Sequence, residues 1–264
     1  MESILIYLAT GLMSGLMAGL FGIGGGMIMV PALALVLPAQ GIGETLLMHV
    51  AIGTSLAVIA ATSISSTLSH HRRDGVMWDR LLAYGPGLAL GALAGAFVAE
   101  TLSSDFLRRL VGVSSLLIAA QMATNFQFRA LKDAKSPATA ELVTAGGVIG
   151  LLSALLGIGG GSLTTPYLSL RGFDLRKAVG TSAAGGIPIA WAGALGYVVS
   201  GWNAPGLAPF SLGFVNLGGF AAMAVASVMA APLGARLAHG LSPRHLQLAF
   251  SLLLLLVGLH MLLG

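Results

Sequence analysis

The chain has 264 residues, of which 56% are hydrophobic and only 8% charged, with a mean hydropathy of +0.92. Soluble domains carry about 25% charged residues, and one soluble core does not absorb repeated apolar runs of about 20 residues, the length that crosses a bilayer as a helix. The formal charge of +4 reads as basic flanks of membrane spans and not as a nucleic-acid surface, and the absence of cysteine excludes disulfides, thiolate metal sites and a cysteine-based sulfur relay.

Taken in order, the chain opens on Met1, Glu2 and Ser3, without the basic n-region of a cleavable signal peptide, so its first apolar run is expected to be retained. That run, at about 4 to 20, ends in Gly22-Ile23-Gly24-Gly25-Gly26, followed five residues later by Pro31. Further helical runs are expected at about 27–37, 45–69, 81–99 and 107–124. A charged linker, residues 125–140, separates this first repeat, 1–124, from a second, 141–264. The second repeat reads as helices at about 141–156, 162–170, 178–200, 210–235 and 246–263.

The glycine motif recurs as Gly157-Ile158-Gly159-Gly160-Gly161, then Pro166; 157 − 22 and 166 − 31 both equal 135. Ala51-Ile52-Gly53-Thr54-Ser55 likewise recurs as Ala178-Val179-Gly180-Thr181-Ser182, 127 residues on. Two motifs repeated in the same order point to an internal duplication. Each glycine costs a helix interior about 1 kcal/mol relative to alanine, so the triplets are expected to break the helix, and the segment after each break is too short to span.

The basic residues select a topology, since Lys and Arg of short loops stay cytoplasmic. Four crossings per half would make the halves parallel and divide the basic residues six against seven. Treating each glycine motif as the tip of a re-entrant hairpin makes the halves inverted and gathers eleven of the thirteen on one face, leaving Arg108 and Arg109 opposite. The expected fold is therefore an all-α polytopic membrane protein of two inverted repeats, about five helical segments each, with both termini outside the cytoplasm.

Inverted repeats with broken helices near mid-membrane are the layout of secondary transporters. At each break a short helix begins with unpaired N–H groups and a positive dipole end, and two such ends facing each other attract an anion. The candidate substrate-binding residues are Gly24, Gly25, Gly26 and Met27, with Gly159, Gly160, Gly161 and Ser162, and the hydroxyls of Thr54, Ser55, Thr181 and Ser182. Gly22, Pro31, Gly157 and Pro166 frame the breaks. The competing readings are close helix packing for the glycines and hydrogen bonds within their own helices for the hydroxyls. His49 is the candidate for proton exchange, against the more ordinary role of a solvated interface histidine. Tyr84, Tyr197, Trp78 and Trp202 read as interfacial anchors and Trp191 as a deeper packing residue. No metal site, cofactor, nucleic-acid partner or enzymatic centre is expected, because no nucleophile is paired with a buried base. An anion channel remains the alternative, as does another small organic or inorganic anion as the cargo.

With its doubled Gly-x-Gly-Gly-Gly-x4-Pro signature, at Gly22 to Pro31 and Gly157 to Pro166, the chain resembles the sulfite exporter TauE/SafE family of membrane transporters over essentially its whole length. The resemblance implies export of sulfite or a small organosulfonate across a bacterial inner membrane, with the lipid bilayer as surroundings and homo-oligomerisation left open.

Overall fold

The computed structural model describes residues 2–21, 25–124, 137–237 and 243–263; Gly22, Gly24, linker residues 125–136 and His239 lie outside them. The helices are α1 (Glu2–Phe21), α2 (Gly26–Val36) continued by a 3-10 turn (Leu37–Gln40), α3 (Glu44–His71), α4 (Trp78–Thr101) and α5 (Ser104–Ala123). After the linker come α6 (Thr139–Leu156), α7 (Gly161–Leu170), α8 (Leu175–Ser200), α9 (Leu217–Leu237) and α10 (Pro243–Leu263). Among the described residues, six of these helices are long and apolar enough to cross a membrane, while α1, α2 and α10 add shorter apolar stretches.

One expected helical stretch is a ribbon instead. Residues 210–216 do not extend α9; they hold β1 (Ser211–Leu212) and β2 (Val215–Asn216), paired antiparallel with Leu212 opposite Val215. Gly213, at φ +55°, turns the chain, and Phe214 is buried with its N–H donated to the Tyr197 carbonyl at 3.1 Å. An apolar run seated as a plug has the same composition as one seated in a helix, which is why periodicity does not separate them.

Helices α3 and α8, which carry the two Gly-Thr-Ser motifs, pack on each other at the centre. Around them α1 lies along α9, α6 along α4, and α5 along α10. Small residues set these approaches: a Cβ on Gly15 of α1 would overlap the Ser227 carbonyl, and one on Gly91 of α4 the Gly147 carbonyl. Without a hydrophobic force between helices in lipid, such backbone proximity is what gains dispersion contacts.

The outer surface is apolar. Leu82, Leu90, Leu117 and Met229 are all more than 60% exposed, an arrangement that only lipid solvates. Trp191 joins them at 58% exposure, so it faces outward and is not a packing residue. The reverse holds for Tyr84 and Tyr197, which are fully buried and not interfacial: Tyr197 donates to the Ala154 carbonyl at 3.2 Å, and the Tyr84 hydroxyl lies 3.4 Å from Thr164 Oγ1. Each phenol has found a polar partner inside the bundle, which removes the reason to sit at a headgroup. The chain is a multi-pass membrane protein.

The connections gather at two ends. At one, Arg176 donates to the Arg73 carbonyl at 3.3 Å, Lys177 to that of Asp74, Arg80 lies over the Phe173 ring, and Arg171 pairs with Glu141. At the other, Arg108 pairs with Glu44 at 2.6 Å beside the start of α5, where Ser104 Oγ accepts the Met48 N–H at 3.1 Å.

Candidate functional site

Both glycine motifs interrupt helices. Gly25, in the left-handed region at φ +66°, precedes α2, and Gly157, at φ +65°, closes α6. Such dihedrals cost other L-residues about 1–2 kcal/mol. Gly160 stands at the start of α7, where its carbonyl accepts the Thr164 N–H at 2.7 Å. Among the described residues no side chain caps α2 or α7, and helix geometry gives the N–H groups of Gly26, Met27, Gly161 and Ser162 no intrahelical acceptor. Pro31 and Pro166 lie inside α2 and α7, where the missing N–H deprives the Met27 and Ser162 carbonyls of their usual donors.

The two breaks touch. Gly26 lies so close to Gly157 that a Cβ would overlap the Gly157 carbonyl oxygen, and the same oxygen accepts from Ser55 Oγ at 2.8 Å. A Cβ on Gly157 would come within 2.6 Å of Val30, in α2. Thus α2, α3 and the end of α6 converge on one point, between the first and second halves of the chain. Met27 and Ser162 are buried, and the Ser162 hydroxyl has no partner among the described residues.

The threonines act elsewhere. Thr181 Oγ1 accepts the N–H of Met77, ahead of α4, and Thr54 Oγ1 accepts that of Asn216, ahead of α9, both at 2.9 Å. Ser182 stays at the break: its Oγ lies 2.7 Å from Thr165 Oγ1 and 2.9 Å from the Val179 carbonyl.

A narrow cleft, with room for about one water molecule, lies between α1, α3 and α8 beside the second break. Its walls are Gly159 and Gly160 at the second break, Ser182, Ala183 and Gly186 on α8, Ala18 on α1, and Ile59, Thr62, Ser63 and Ser66 on α3. No ionisable side chain is among them, so a ligand's charge there meets backbone dipoles and hydroxyls alone. Gly25, Gly26, Met27, Gly161, Ser162, Thr54, Ser55 and Thr181 are not part of this wall. Thr62, Ser63 and Ser66 escaped the sequence reading. Their signal is spacing: with Ile59 they stand at i, i+3, i+4 and i+7, one face of a helix.

His49 is 5% exposed and not a solvated interface residue. Its Nε2 lies 3.0 Å from the Ala99 carbonyl and its ring 5.2 Å from that of Phe214, while Nδ1 has no partner among the described residues. It sits near the ribbon, away from the cleft.

The sulfite exporter TauE/SafE family profile matches residues 7–261. A probable membrane transporter protein of Haemophilus influenzae is 33% identical over 262 residues, 98% of this chain and 97% of its own. A probable membrane transporter protein of Methanocaldococcus jannaschii is 29% identical, covering 98% and 95%, and one of Bacillus subtilis 31% identical, covering 68% and 72%. No solved structure matches. A profile spanning nearly every residue, on a bundle whose two glycine breaks meet beside an uncharged cleft, places the chain in the TauE/SafE sulfite exporter family of membrane transporters, which are not enzymes.

Proposed function

We propose that this transporter is a secondary carrier that exports a small sulfur-containing anion, sulfite or an organosulfonate, across the bacterial inner membrane by alternating access. The observation that carries the reading is the contact of the two glycine breaks beside a largely apolar cleft into which glycine backbone and the hydroxyl residues of α3 and α8 intrude, without an ionisable side chain among its described walls. Helix starts and hydroxyls attract an anion without the fixed positive charge that would hold it too tightly to release.

Inverted repeats supply the moving parts. A pairing scheme that survives exchange of the halves supports the repeat: with α1 to α5 swapped for α6 to α10 in order, α1 on α9 becomes α6 on α4, and α3 on α8 and α5 on α10 return themselves; the inversion rests on α8 beginning, near Arg176, where α3 has just ended, near Arg73. The Thr54–Asn216 and Thr181–Met77 bonds exchange in the same way. The basic cluster around Arg73, Arg80, Arg171, Arg176 and Lys177 is then cytoplasmic, with the termini and Arg108 outside. An anion leaving a negative interior gains about 2.3 kcal/mol per charge for every 100 mV, enough for a gradient near fiftyfold without a buried carboxylate.

The test is sulfite efflux from proteoliposomes under an imposed potential, with taurine, sulfoacetate and sulfate as competitors. Saturable, potential-dependent efflux is expected. Flux that rises without saturation, with unitary currents in planar bilayers, makes the protein a channel; no flux of any sulfur anion removes this cargo.

A further inference from the structure

We infer that the anion is gripped from one side, by the α3 hydroxyls of Ser63 and Ser66, and that Ser66 Oγ is the donor that sets affinity. The inference rests on the transporter reading above and assigns its binding wall.

Among the described residues four with hydroxyls line the cleft, and three of these hydroxyls are engaged. Thr62 Oγ1 is 3.0 Å from both the Val58 carbonyl and Ser227 Oγ, Ser63 Oγ donates to the Ala60 carbonyl at 3.2 Å, and Ser182 is held by Thr165 and Val179. Ser66 is different. It is 5% exposed, lines the cleft, and its Oγ has no partner among the described residues. A buried hydroxyl left unmatched is unfavourable, and a ligand oxygen in the cleft would satisfy it. Ser63 stands one turn away, and its long local bond is readily exchanged for a charged acceptor, which is the stronger partner.

Duplication separates this wall from the framework. Features that build both halves are written twice, as Thr54 and Thr181 are. The α3 hydroxyls are written once: adding 127 to 62, 63 and 66 gives Ile189, Ala190 and Gly193. One ligand lying off the pseudo-axis needs donors from one half only. The ligand this wall recognises is a small oxyanion, its oxygens serving as acceptors, with no ammonium group.

The experiment measures thermal protection of the purified full chain in detergent by sulfite, methanesulfonate, sulfate and chloride, for wild type, Ser66→Ala, Ser66→Thr and Ser115→Ala. Ser115, on α5, is a buried hydroxyl without a partner among the described residues, away from the cleft, and controls for hydroxyl removal alone. The expected result is protection of wild type by sulfite, an apparent Kd about tenfold weaker in Ser66→Ala, and a change within about threefold in Ser66→Thr and Ser115→Ala. Unliganded Ser66→Ala should melt no lower than wild type, since it loses an unsatisfied group. Equal affinity in wild type and Ser66→Ala overturns the inference, as does an absence of protection by every oxyanion tested. Protection that depends on Ser66 in a protein that moves no anion across liposomes leaves the binding wall standing and removes the transporter reading.

Discussion

The Thr181 hydroxyl accepts the Met77 N–H at 2.9 Å, and through it α8 holds the start of α4. Thr54 holds the start of α9 through Asn216 in the same way, and the helices so held begin at Trp78 and Leu217, 217 − 78 = 139 residues apart, as are the two donors. The glycine before each threonine makes room: a Cβ on Gly180 would overlap the Gly75 carbonyl, and one on Gly53 would lie 2.6 Å from that of Phe214. The repeated Gly-Thr-Ser motif is therefore a docking pin between helices of opposite halves.

Thr54→Val and Thr181→Val keep side-chain shape and delete the acceptor. Each should lower stability by about 1–3 kcal/mol, the cost of stranding a buried N–H, and leave sulfite affinity within about threefold. Thermal unfolding and sulfite protection, measured on the same samples, separate the two effects. A variant with an unchanged melting temperature and lost sulfite binding would return the threonine to the ligand.

Much of this was legible in the sequence because it depends on local chemistry. Glycine triplets with a proline five residues on can hardly continue a helix, and they mark both breaks; charges at 72–80 and 171–177 mark one end of the bundle. What escaped depends on which way a side chain points. Tyr84 and Tyr197 have the composition of interfacial anchors, yet face inward because Thr164 and the Ala154 carbonyl stand across from them. Thr62, Ser63 and Ser66 share one face of α3, and only the packing of α8 and the second break against that face marks it out. In a chain apolar on nearly every helix face, periodicity does not tell lipid from core.

The glycines of the second break differ in what they tolerate. Gly157 needs its left-handed conformation and packs within 2.6 Å of Val30, so Gly157→Ala should cost folding, by about 1–2 kcal/mol from the backbone alone. Gly160 has φ −57°, and a Cβ there meets the flexible end of Ile189 at 2.9 Å and Thr164 Oγ1 at 3.2 Å. Gly160→Ala should therefore fold and place a methyl group on the cleft wall, with sulfite flux reduced by about tenfold or more. Expression and melting temperature in detergent, read beside proteoliposome flux, check both; normal flux through a folded Gly160→Ala protein would remove the break from the binding site.

The seam between α4 and α6 offers an internally controlled pair. Gly91 faces the Gly147 carbonyl so closely that a methyl group does not fit, whereas a Cβ on Gly147 meets nothing within 4 Å. Gly91→Ala should destabilise by about 1–3 kcal/mol through overpacking, and Gly147→Ala should be neutral or stabilising by up to about 1 kcal/mol from helix propensity. Melting temperatures that fall equally in both variants would mean that the seam is not set by these contacts.

The absence of cysteine makes orientation directly measurable, since any single cysteine introduced is the sole thiol. Asp105, at the start of α5, and Arg72, at the end of α3, are exposed at opposite ends of the bundle. If the basic cluster is cytoplasmic, a membrane-impermeant maleimide should label Asp105→Cys in intact cells and reach Arg72→Cys only after permeabilisation. The opposite pattern inverts the whole bundle: the basic end would face outward, against the charge rule, and both termini would be cytoplasmic. Labelling of both sites in intact cells would break the link between bundle ends and membrane faces, and with it the inverted topology.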